Sequence, residues 1–113
     1  MKHLLLGLGL ILPTSTALAQ SPADQRARIH FEAGNSYYER GSFEDAAREF
    51  QLSYALSERP ELLFNIFSSY EQSGDLAQAE SALERYVASN ISDERRALAE
   101  ERLVSLRERM RVE

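Results

Sequence analysis

The stretch FEAGNSYYERGSFEDA, residues 31–46, returns as FNIFSSYEQSGDLAQA at residues 64–79. At this offset of 33, Phe31, Ser36, Tyr37, Gly41 and Ala46 fall on Phe64, Ser69, Tyr70, Gly74 and Ala79, and Ala55 falls on Ala88. Residues of one kind match as well: Ala33 with Ile66, Phe43 with Leu76, Phe50 with Leu83, Tyr54 with Val87. A fixed period of roughly 20–50 residues marks stacked repeats, in which each unit buries its apolar face against a neighbour. The period runs from Ala27 to Ser92, and a surface built this way binds rather than catalyses.

Within each copy the apolar spacing is helical. Ile29 or His30, Ala33, Gly34 and Tyr37 recur at three- and four-residue steps, and Gly41 supplies a left-handed C-terminal stop. Ser42 is placed to cap the next helix, with Glu44 and Asp45 in its first turn, where negative charge complements the helix dipole. Phe43, Ala46, Ala47, Phe50 and Tyr54 form the buried stripe of that second helix. The grammar then repeats. Pro60 opens a helix, Leu63, Ile66, Phe67 and Tyr70 line it, and Gly74 closes it. Asp75 caps the fourth helix with Gln78 spaced for a capping box, and Leu76, Ala79, Leu83, Tyr86 and Val87 carry its apolar face.

A fifth helix is predicted after Ser92, with Asp93 and Glu94 in its first turn. Ala99, Leu103, Leu106 and Met110 make a narrow seam opposite a charged face that includes Arg95, Arg96, Glu100, Glu101, Arg102, Arg107 and Glu108. One apolar seam under a solvated face suits a helix that caps a repeat stack. Self-assembly is the competing reading, as a homodimer through a seam of Leu103, Leu106 and Met110, although barely two heptads are present, or through repeat-to-repeat stacking.

The remaining segment is N-terminal. Met1-Lys2-His3 is a short basic region, Leu4 to Leu12 an apolar run, and Ala17-Leu18-Ala19 a small-x-small site. This order predicts a secretory signal peptide over residues 1–19, cleaved after Ala19. The nine-residue run is far short of the roughly 20 residues that span a bilayer. The expected organisation is signal peptide 1–19, tail 20–26, repeats 27–59 and 60–92, and capping helix 93–113. Export is the expected destination, periplasmic in a Gram-negative host, with no membrane insertion after cleavage.

Composition limits the function classes. Lys2 is the sole lysine, so beyond the signal 12 Arg face 18 Asp and Glu. An acidic chain without a basic cluster is a poor ligand for nucleic acid, whose binding depends on neutralising phosphates. There is no Cys, so no disulfide framework, zinc-thiolate set or thiol nucleophile is available. His30 is the only histidine after the signal, and no phosphate loop or paired-histidine zinc motif occurs. The expectation is no enzyme, no catalytic residue, no metal and no cofactor. Asn90-Ile91-Ser92 has the form of a glycosylation sequon, which the capping role of Ser92 accounts for.

The quoted residues resemble the tetratricopeptide repeat (TPR) family, exported bacterial type, over residues 27–92. Ala33-Gly34-x-x-Tyr37, Gly41-x-Phe43 and Ala46-x-x-x-Phe50 carry the first copy; Ile66-Phe67-x-x-Tyr70, Gly74-x-Leu76 and Ala79-x-x-x-Leu83 carry the second. His30 and Leu63 stand where that family often has Trp, and Phe67 and Tyr86 occupy slots that are normally small, which predicts splaying or repacking in the second unit. The resemblance implies two helical hairpins stacked as a short right-handed solenoid. It also implies a concave face lined by the first helix of each unit. On it the binding residues would be Phe31, Asn35, Tyr38, Phe64, Asn65, Ser68 and Glu71, with Arg28, Glu39, Glu61 and Gln72 beside them. Asn35 and Asn65 fall where some TPR domains grip a peptide carboxylate. Phe31 replaces the basic residue such a clamp needs, and Glu39, Glu61 and Glu71 oppose an anion. The implied partner is an extended or helical segment of another protein, in the cell envelope for an exported chain. Half-buried packing of the same aromatics is the competing reading of these positions.

Overall fold

The computed structural model describes residues 21–112, and the signal-peptide reading of residues 1–19 lies outside them. Five helices follow one another: α1 (Pro22–Glu39), α2 (Phe43–Ser57), α3 (Glu61–Ser73), α4 (Leu76–Val87) and α5 (Asp93–Val112). Among the described residues there is no strand, and extensive packing joins each helix to the next in sequence. That is an all-α, repeat-like solenoid: a closed bundle would also pack the first helix on the last.

The start of α1 corrects the sequence expectation of a tail through residue 26. Ser21 caps the helix, its Oγ accepting the Asp24 N–H at 3.0 Å, and Pro22 occupies the first turn. Proline is preorganised there and its missing N–H would have had no helical partner anyway. The turn after α1 explains why Tyr37 and Gly41 recur as Tyr70 and Gly74. Gly41, at φ 79°, donates to the Tyr38 carbonyl at 3.0 Å, and Ser42 donates to the Tyr37 carbonyl at 2.9 Å. At the second copy Gly74, at φ 88°, donates to Glu71 at 3.1 Å and Asp75 donates to Tyr70 at 3.0 Å. This is the Schellman closure, whose left-handed residue favours glycine.

Capping differs between the copies. Asp75 accepts the Gln78 N–H at 3.2 Å, whereas the Ser42 side chain makes no cap bond on a closely similar backbone. The carboxylate reaches one bond further than a hydroxyl. Gln78 does not complete a capping box by bonding the Asp75 N–H, because that N–H already serves the Schellman turn. Ser92 Oγ accepts the Arg95 N–H at 3.2 Å and so begins α5. The end of α2 carries no glycine: Glu58 adopts φ 54°, ψ 27° and donates to the Tyr54 carbonyl at 2.7 Å.

One core runs through the stack, including Phe50, Leu62, Leu63, Ile66, Phe67, Leu83, Tyr86, Leu103 and Leu106. Gly34 lies so near α2 that an added Cβ would stand 2.6 Å from the Phe50 ring. The second unit inverts this fit. Phe67 supplies the ring from α3 and Leu83 the smaller group from α4, both fully buried. Ser53 and Tyr86, also 33 apart, diverge likewise: Ser53 Oγ donates to the Ala27 carbonyl at 2.7 Å, while Tyr86 packs on Phe64 at 5.5 Å. Ile29 is 63 % exposed although its counterpart Leu62 is buried. The reason is position in the stack, since α3 has α2 before it and, among the described residues, α1 has nothing.

Candidate functional site

Phe31, Asn35 and Tyr38 sit four and three residues apart, which places them on one stripe of α1. Phe64, Ser68 and Glu71 repeat that spacing on α3. The structure brings the stripes side by side where Tyr38 Oη and Ser68 Oγ lie 2.7 Å apart. Tyr38 is held from below by an edge-on contact with Phe43 at 5.0 Å between centroids.

Along these stripes the residues differ in how much they offer a ligand. Phe31 is 36 % exposed and rests on Phe50, with centroids 5.9 Å apart. Asn35 is exposed and Asn65 half-buried, and neither carboxamide makes a hydrogen bond among the described residues. A carboxamide carries both donors and an acceptor, the complement of a peptide backbone. Phe64 is more committed: it packs on Phe67 at 5.4 Å and on Tyr86 at 5.5 Å, and the Arg102 guanidinium lies 5.5 Å from its ring centroid. Glu71 accepts from Arg109 at 2.9 Å. Four of the seven expected contact residues, Tyr38, Phe64, Ser68 and Glu71, are therefore engaged inside the chain, and Phe31, Asn35 and Asn65 remain more open.

Arg102 and Arg109 were absent from the sequence-based set. They come from α5, which lies next to α3 much as α3 lies next to α1. The period does not find them: at the offset of 33 Arg102 falls on buried Ser69 and Arg109 on Leu76, neither of them a position of this face. At the head of the face, between α1 and the start of α3, is a cleft of about 240 Å³. Ala27, Phe31 and Leu62 give it apolar walls, with Arg28, Arg59 and Glu61 around it.

The apolar seam of α5 is used within the chain. Leu103 and Leu106 are buried in the core and Met110 packs against it. Arg107 clasps the same junction, donating through Nε to Glu80 at 2.7 Å and through Nη2 to Glu84 at 2.5 Å. Its pKa is raised above the ordinary value, first by the hydrogen bond to Glu80. Arg96, read from the sequence as part of the outer charged face, instead folds back. It donates to the carbonyls of Val87 at 3.0 Å and Ser89 at 2.9 Å. His30 joins α1 to α2, its Nδ1 lying 2.8 Å from Glu49 Oε1.

Among the described residues no group of three His, Cys, Asp or Glu could hold a metal ion, and no helix is long and apolar enough to cross a membrane. In comparison with known proteins, the sequence matches no family model and no curated protein.

Proposed function

We propose that this chain is an exported, TPR-like scaffold that binds a segment of a partner protein on the face formed by α1 and α3. The observation that carries the reading is the pair of unbonded carboxamides, Asn35 and Asn65, on stripes held together by Tyr38 and Ser68 beside exposed Phe31. An extended or helical segment would receive backbone hydrogen bonds from the amides and apolar contact from Phe31. Export rests on the order of basic, apolar and small residues at positions 1–19. The family reading rests on the doubled motif and on the Schellman turn it produces twice.

The test is a pull-down from an envelope fraction, comparing the native protein with the pair Asn35→Ala and Asn65→Ala. Both side chains lack internal hydrogen bonds, so the variant should keep its helical circular dichroism. Partner recovery that falls with the amides supports the site. Recovery unchanged by their loss, or no partner at all, removes it. Export is checked separately by fusing residues 1–25 to a reporter enzyme that folds only outside the cytoplasm; an inactive fusion ends that part of the reading.

A further inference from the structure

Phe31 and Phe64 hold the same position in the two copies, yet their surroundings differ. Phe31 is 36 % exposed, and among the described residues no cation lies over its ring. Phe64 is half-buried, with the Arg102 guanidinium 5.5 Å from its ring centroid. Further along α3, Glu71 accepts from Arg109 at 2.9 Å. Phe64 and Glu71 are seven residues apart on α3, and Arg102 and Arg109 are seven apart on α5. Seven residues make about two helical turns, so both arginines leave α5 on the one side that reaches α3.

Neither arginine is needed to hold α5 in place. The helix packs chiefly on α4, with Ala99, Leu103 and Leu106 buried beneath it. Arg107 pairs with Glu80 and Glu84 of α4, and Arg96 binds the Val87 and Ser89 carbonyls. Arg102 is exposed and forms no ion pair among the described residues. The Arg109–Glu71 pair is partly exposed on both sides. An exposed cation–π contact and a surface ion pair are weak contacts, and salt screens the second. Both can open while the core under α5 stays closed.

We infer that Arg102 and Arg109 are an autoinhibitory cover, closing the α3 half of the face while the α1 half, at Phe31 and Asn35, stays open. The inference rests on the binding face proposed above and adds its regulation. A partner engages Phe31 and Asn35 directly, and reaches Phe64 and Glu71 only when the two guanidiniums swing into solvent. When the binding-competent state is a minor fraction, apparent affinity falls by that fraction. Two weak contacts place the loss at about 3- to 30-fold relative to a chain without the cover.

The experiment compares the native chain with an opened one, Arg102→Gln with Arg109→Gln, which removes both cations and keeps polar side chains in their place. The control is Arg85→Gln with Arg48→Gln. It removes the same two kinds of contact from α2 and α4, a cation over Tyr54 and an ion pair with Asp45. In the native chain the side-chain protons of Arg102 should show ring-current shifts by NMR, lost in Phe64→Leu. Urea midpoints of the native and opened chains should agree. Each chain is then titrated on beads against an envelope fraction, following the protein whose capture depends on Asn35 and Asn65. The opened chain should capture it at least about 3-fold more tightly than the native chain, and the control should not. Equal or weaker capture by the opened chain, an equal gain in the control, or unshifted Arg102 protons overturns the cover. If the opened chain matches the native one while Asn35→Ala with Asn65→Ala abolishes capture, the face stands and its cover does not. If no chain captures a protein, the opened one included, face and cover fall together.

Discussion

Gly34 shows what a single side chain does in this stack. Its missing Cβ makes room for the Phe50 ring, and a methyl group there would meet that ring at 2.6 Å. Gly34→Ala raises helix propensity by up to about 1 kcal/mol, yet it forces two packed helices apart. Overpacking of that kind costs typically about 1–3 kcal/mol, so the variant should be destabilised on balance, which urea unfolding will read. Glu58 presents the opposite case. It is the one non-glycine residue at positive φ among the described residues. A left-handed L-residue carries a penalty of roughly 1–2 kcal/mol, and glycine returns part of the relief as unfolded-chain entropy. Glu58→Gly should therefore stabilise by up to about 1 kcal/mol, with a higher midpoint in the same titration. Asn35 should be neutral to stability when truncated, since its carboxamide has no hydrogen bond to lose.

Helices here are joined by side chains as well as by turns. The end of α4 lacks a glycine closure, and Arg96 compensates by donating to Val87 and Ser89 carbonyls from the first turn of α5. Hydrogen bonds from a charged donor contribute roughly 1.5–3 kcal/mol when partly shielded from water. Arg96→Ala should accordingly fray the α4–α5 corner, visible as faster hydrogen exchange at Ala88 and Ser89 while α1 and α2 are unaffected. Arg107 is the contrasting ion pair. Its contacts to Glu80 and Glu84 are exposed, and such pairs are screened by salt. Arg107→Ala should change stability little, and any change should vanish in high salt.

For the whole molecule the decisive question is how a short stack keeps itself closed. Two repeats are fewer than the roughly three that usually fold independently, and no disulfide assists. The fifth helix supplies the missing burial, with Leu106 only 1 % exposed. Leu106→Ala should cost about 2–5 kcal/mol, a large share of the stability expected for so small a core. Leu103→Glu distinguishes capping from dimerisation. Capping predicts a chain that loses helical signal; a dimer seam predicts a folded monomer replacing a dimer in light scattering.

The doubled pattern was enough to specify four helices and their two glycine-closed turns, and the seam after Ser92 a fifth helix. Such features are local: they depend on residues three and four apart and on a glycine that accepts positive φ, and a linear sequence displays both. The split between buried and available site residues was not local. Nothing in the spelling of Phe64 or Glu71 shows that Arg102 and Arg109, 38 residues further on in each case, would cover them. Asn35 and Asn65 look no different in sequence from Ser68, yet packing bonds the serine to Tyr38 and leaves the amides open. Nor did helical period reveal the cleft at Ala27, Phe31 and Leu62, which exists because Ser53 and Ser57 behind it are small. The sequence by itself determined the elements and their repeat. Tertiary packing decided which side chains a partner can still reach, because that depends on what the next helix in the stack lays against them.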